Sequence, residues 1–193
     1  NVVLHARPVL RLALYTGMRR GNVLGLQWGD VRLDAPRPHA IVRQKGDRWH
    51  TAWLIPPAAD LLRQLAPTDA ERTGPVFTFA NPNVGCTCVW CRRADMAGKP
   101  IKSVRRTFEQ ARKTAGLPEV RFHDLRHTVA SWLLQQGYSL KVVQEVLGHA
   151  DYKSTLRYAH LEYGAQADAM ADALGRRGFG AEFGAKKRDG GEG

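Results

Sequence analysis

The chain has 193 residues, 44% of them hydrophobic and 24% charged, and a formal net charge of +11. This is enough apolar sequence for one domain with its own core, so a wholly disordered chain is excluded. No apolar run of about 18 residues is present, which excludes a helical membrane span, and the charge points to a polyanionic partner, nucleic acid before an anionic membrane surface.

The first residues reach Arg7 without a long apolar stretch, so they do not read as a secretory signal. Leu4, Val9, Leu10, Leu12, Ala13, Leu14 and Tyr15 instead predict a largely buried helix. So abrupt an opening suggests that sequence upstream is missing. Gly17 and Gly21 break that helix, and a short second one over 22–26 ends at Trp28-Gly29-Asp30-Val31. Residues 39–44 and 50–55 read as β-strands joined by the polar turn 45–49, a hairpin. Pro56-Pro57 opens the next helix, with Pro57 suited to its first position and Ala59, Leu61, Leu62 and Leu65 on its apolar face. A loop over 66–75 and a short apolar segment, 76–79, follow.

Residues 80–100 are irregular and hold all three cysteines, Cys86, Cys88 and Cys91, as Cys-x-Cys-x-x-Cys. An odd number cannot pair off completely, which argues against a disulfide framework and for a reducing compartment. Zinc takes four ligands, and three close cysteines are one short. A fourth would have to come from a distant histidine or a partner, so free thiols in a variable loop is the preferred reading and no metal or other cofactor is expected.

Ile101, Val104, Phe108, Ala111 and Ala115 recur at helical spacing, with Gly116 and Pro118 as the stop. Leu125, Val129, Trp132 and Leu133 mark a further helix that ends at Gly137. Ser139 is a candidate N-cap for a helix over 140–147. A short helix around 155–160 and an alanine-rich one over 162–174 follow, and the seven glycines of 175–193 predict a flexible tail. The class is mainly α with a small antiparallel β-sheet.

Three stretches carry chemistry: Thr16-Gly17-Met18-Arg19, His123-Asp124-Leu125-Arg126-His127-Thr128, and Leu147-Gly148-His149 with Tyr158 nine positions later. Arg19 and Arg126 offer forked, permanently charged donors suited to phosphate oxygens. His123 and Arg126 share a helix face at a spacing of three. Tyr158 is a candidate nucleophile. There is no carboxylate pair or His/Glu cluster of the kind a metal-dependent nuclease uses. The set suits phosphoryl transfer in which guanidinium groups stabilise the charge. His127 and His160 read as structural neighbours of motif residues.

These motifs, in this order, resemble those of the tyrosine recombinase (phage integrase) family, over about residues 4–170. The resemblance implies the family's DNA breaking-rejoining catalytic fold over 1–174, with the family's N-terminal core-binding domain absent from this chain. It implies that Tyr158 attacks a phosphate of double-stranded DNA to form a 3′-phosphotyrosine, without metal or ATP. Arg19, Arg126 and His149 would hold the non-bridging oxygens, and His123 would assist on the nucleophile's side. Lys45, the hairpin turn's only lysine, would protonate the leaving 5′-oxygen.

Alternatives are an inert DNA-binding relic or regulator of the same fold, or a type IB topoisomerase, which shares the chemistry. Asn22 departs from the family's usual acidic residue at that position and removes a charge there. The resemblance also implies a homo-oligomer on DNA, with the 162–174 helix docking on a neighbour. A cytoplasmic, nucleoid location is expected, and DNA binding that falls steeply with salt.

Overall fold

The structure is a computed structural model, and it describes residues 4–44, 46–81, 84–149, 152–161, 170 and 172–173. Seven helices and a three-stranded antiparallel sheet run through them. The predicted class, mainly α with a small antiparallel sheet, is the one observed. None of these helices is long and apolar enough to cross a membrane.

A 3-10 turn, Leu4–Ala6, leads into α1, Arg7–Thr16, with Pro8 in its first turn where a missing N–H does no harm. Val9, Leu12 and Ala13 are buried on one face, and α1 lies against α3 (Pro56–Leu65) and α5 (Asp124–Gln135). The helix stops at Gly17, whose φ of 63° is left-handed and whose N–H donates to the Ala13 carbonyl. The short α2, Arg20–Leu24, follows.

The sheet is β1 (Val31–Arg32), β2 (His39–Gln44) and β3 (Arg48–Trp53), in that order. The hairpin was expected, but β3 begins two residues earlier than its apolar content suggested. Gly46 and Asp47 both take positive φ, 80° and 58°, so the chain reverses at once and Arg48 pairs with Gln44. The two-residue β1 is too short to leave a periodic signal. It exists because Val31 pairs with Ala40 and Arg32 with His39.

The apolar 76–79 segment forms no strand, only a bridge from Thr78 to Pro100, although Val76 and Phe77 are buried. α4 spans Arg105–Thr114 rather than starting at 101. Ile101 and Val104 are core residues of the approach to it. α6 covers Leu140–Leu147, capped by the Ser139 hydroxyl, which accepts from the Val142 N–H as predicted. α7 is Lys153–Leu156, starting two residues earlier and running two residues shorter than the 155–160 expectation. The 162–174 helix lies almost wholly outside the described residues, as do the 175–193 tail and Lys45; only 170 and 172–173 are described, as helical.

The core forms two clusters. The larger joins α1, α2, the sheet and α3 around Leu12, Leu26 and Leu62. The smaller joins α5, α6 and the chain after α7 through Ala130, Leu134, Val143, Leu147 and Tyr158. The residues singled out by the motifs lie along the seam between them.

Candidate active site

Each motif residue reaches the seam for a local reason. After Gly17 the buried Met18 points into the core, and Arg19 is left extended (φ −65°, ψ 147°) with its guanidinium free to reach across. Arg19 Nη1 donates to Gln44 Oε1 at the end of β2. Asn22 Nδ2 donates to the Arg43 carbonyl at 2.7 Å, so the amide ties α2 to the hairpin by hydrogen bond where a carboxylate could not donate.

Arg126 sits in the first turn of α5 and is only 3% exposed. Its two terminal nitrogens donate to the Gly17 carbonyl at 2.6 Å and the Leu147 carbonyl at 2.7 Å. One guanidinium therefore pins the end of α1 to the end of α6, spanning both core clusters. Burial, reinforced by the positive charge of Arg19, lowers it to about 10, so it stays charged at neutral pH.

Gly148 ends α6 in the left-handed region, φ 64°. A Cβ there would overlap Gln44 Nε2 and fall 2.7 Å from the His50 ring. That close approach lets β3 touch α6, where His50 Nε2 donates to the Val146 carbonyl at 3.1 Å. The chain then turns so that His149 is 9% exposed, with Nδ1 against the fully buried Thr155 hydroxyl at 2.8 Å. Burial, with Arg126, Arg19 and Arg157 nearby, lowers His149 to about 4, so it is neutral at pH 7.

Tyr158 lies just past α7, 6% exposed, its N–H bonded to the Thr155 carbonyl at 3.0 Å. Burial raises its phenol above the usual value, partly offset by Arg157 and Arg126. The hydroxyl hydrogen-bonds His127 Nδ1. This differs from the sequence reading, which made His127 a structural neighbour and gave His123 the nucleophile's side. His123 instead meets His127 edge-on, ring centroids 4.8 Å apart. The cause is helical geometry. His127 lies one turn inward of His123 on α5 and faces the chain after α7, while His123 precedes the helix at its exposed end.

The structure thus brings Arg19, Arg126, His149 and Tyr158 together, with His123 one ring further out. It adds Gln44, His50 and His127, which sequence reasoning passed over. The signal for His50 was a lone histidine in a strand. The signal for His127 was its position immediately after the motif arginine.

Residues 3–164 match the model of the phage integrase family. The chain belongs to that family. It is 30% identical over 160 residues to the integrase of Salmonella phage P22, covering 80% of this chain and 39% of that protein. It is 33% identical over 154 residues to the tyrosine recombinase XerC of Corynebacterium efficiens, covering 79% and 45%. The chain thus spans less than half the length of these two relatives.

Among solved structures, the XerH site-specific recombinase in a post-cleavage complex with palindromic difH substrate superposes with a TM-score of 0.60 at 24% identity, over 87% of this chain and 45% of that one. The catalytic domain of bacteriophage HP1 integrase gives 0.55 at 23%, over 80% and 73%. At such identities these two show the shared fold.

The sequence reading left a distant histidine open as a fourth partner of the cysteines. Cys86, Cys88 and Cys91 are unpaired thiols, but they do not stand alone. His5, 81 residues before Cys86, meets all three.

Proposed function

We propose that this chain carries the catalytic apparatus of a site-specific DNA recombinase that works through a phosphotyrosine. The observation that carries the reading is the placement of Tyr158, a buried phenol in contact with a neutral histidine and within the field of Arg126. A phenol held above its usual pKa needs a base, and His127, lowered first by burial and then by Arg157, is in its accepting form at neutral pH. As Tyr158 Oη bonds to the scissile phosphorus, its proton passes to the imidazole and the bond from phosphorus to the 5′-oxygen breaks. Lys45 supplies the proton that leaves with the 5′-hydroxyl.

Negative charge grows on the non-bridging oxygens meanwhile. Arg19 and Arg126 meet it as fixed donors whose orientation is set before the substrate arrives. His149, neutral and oriented by Thr155, offers its remaining ring N–H. One phosphodiester replaces another, so bond energy is conserved and no ATP is needed. A second DNA 5′-hydroxyl reversing the step on a new strand gives strand exchange. The partner is double-stranded DNA, bound largely through phosphates and so steeply weakened by salt. The protein acts as a homo-oligomer on that DNA.

The test is covalent trapping on nicked duplexes that tile the DNA flanking the coding region. The native protein forms a denaturation-resistant adduct and Tyr158→Phe forms none. Failure of the native protein across the whole panel, with DNA binding retained, would mean an inert DNA-binding relative. Adducts without joining of two duplexes would mean a topoisomerase.

A further inference from the structure

Three thiols converge on one imidazole nitrogen at the opposite end of α1 from the catalytic residues. His5 Nδ1 lies 3.5 Å from Cys86 Sγ, 3.4 Å from Cys88 Sγ and 3.6 Å from Cys91 Sγ. All four atoms fall within 4.8 Å of one another.

Hydrogen bonding does not account for this. A single ring nitrogen carries either one N–H or one lone pair, so it can satisfy one sulfur and not three. A disulfide does not account for it either, since three thiols cannot pair off and the imidazole would have no part in it. A tetrahedral metal does. With Zn–N near 2.0–2.1 Å and Zn–S near 2.3 Å, the N···S edge of a tetrahedron is about 3.6 Å. All three observed N···S distances lie close to that edge.

We propose that His5, Cys86, Cys88 and Cys91 form a closed structural zinc site. Its four positions are all filled by protein, which leaves none for a substrate or a catalytic water. On binding, each thiol releases its proton to solvent as its Zn–S bond forms, and the neutral imidazole donates its Nδ1 lone pair.

The surroundings show why this segment would use a metal. Between Phe77 and Ile101 no described hydrophobic side chain is fully buried, and Val89 and Trp90 are 75% and 48% exposed. The loop therefore has little apolar area with which to hold itself. His5, by contrast, is 5% exposed and braced by the Phe79 ring at 5.1 Å between centroids. Arg92 ties the loop around Cys88 into a tight turn, with its N–H on the Cys88 carbonyl at 3.0 Å and its Nε on the Thr87 carbonyl at 2.5 Å. The metal would staple this loop to the start of α1, the helix whose other end presents the Gly17 carbonyl to Arg126.

The experiment is elemental analysis of untagged protein from zinc-supplemented cells, with cobalt added to the metal-stripped protein in parallel. One zinc per chain should survive gel filtration, and cobalt should give thiolate charge-transfer and tetrahedral ligand-field bands. Cys88→Ser should lower bound zinc at least about ten-fold. His5→Cys, which keeps four ligands, should keep the full equivalent and intensify the charge-transfer band. Less than about a tenth of an equivalent of zinc in folded native protein, an octahedral cobalt spectrum, or a folded His5→Cys that binds no metal would each overturn the proposal. The native protein's metal content decides the matter even if Cys88→Ser does not fold.

Discussion

Gly17→Ala is the sharpest test of how the site is built. Gly17 is left-handed at φ 63°, and its carbonyl holds Arg126. An alanine Cβ there would overlap Leu147 Cδ2 and sit 3.4 Å from Val129 Cγ1. The backbone conformation alone costs an L-residue about 1–2 kcal/mol. Forcing a methyl into a packed seam adds about 1–3 kcal/mol. The expected loss is therefore about 2–5 kcal/mol, a fall in Tm of roughly 4–20 °C for a domain of this size. Urea and thermal melts read it directly. Gly116→Ala is the control, because Gly116 has nearly the same φ, 69°, with nothing within 4 Å of its would-be Cβ. It should lose the backbone component alone. In a Leu147→Ala background, Gly17→Ala should likewise fall back towards about 1–2 kcal/mol, because the overlapping methyl is gone. If Gly17→Ala costs no more than Gly116→Ala, the close contact between α1 and α6 is refuted, and with it the account of how Arg126 is positioned.

Three further outcomes are expected. Arg126→Lys leaves at least one of the two buried carbonyls without a donor, because an ammonium cannot bridge them as a planar fork does. It should lose about 1–3 kcal/mol of stability and at least about 100-fold in adduct formation. His127→Ala should slow adduct formation by about 10²–10⁴, and His123→Ala by less. The reverse order would return the base role to His123. Stability should fall on acidification between about pH 6.5 and 4. His149 has a folded pKa of about 4, so in that window the unfolded chain binds the proton that the folded one refuses. His149→Asn should flatten this part of the pH profile by up to about 3 kcal/mol, and an unchanged profile would show that the imidazole is not held neutral.

The elements legible in the sequence were those written in local chemistry. The Ser139 cap and the Gly17 stop are short-range signals that appear where expected, and α3 opens at the Pro56-Pro57 pair, with Pro56 rather than Pro57 in its first position. What was not legible depended on distant partners. β1 is two residues that become a strand only because β2 lies beside them. His127 reads like any histidine on a half-buried helix face until the chain after α7 brings Tyr158 onto it. His5 falls inside the run that predicts the first helix, and its relation to Cys86 spans 81 positions. The three-cysteine motif seemed one ligand short because a fourth ligand so far along the chain leaves no spacing to read.

The electrostatics of the seam explain why its residues are found together although they disfavour one another. Burial first, and the charge of Arg19 second, lower Arg126, while burial together with the field of Arg126 pushes down His50, His123, His127 and His149. Asp124, whose charge reaches His123 and His127, is already engaged by Arg121 at 3.1 Å. No ion pair among the described residues includes Arg19, Arg126 or Arg157. A structure selected for stability alone would place a carboxylate in such a cluster. Leaving it uncompensated makes sense when an anion from outside completes it. A phosphate placed there relieves the repulsion between the arginines and raises the affinity of His149 for a proton, so binding, protonation and stability are one linked equilibrium. The charge excess of the chain thus has a local meaning: part of it is held as unpaired charge at the place where negative charge is expected to develop.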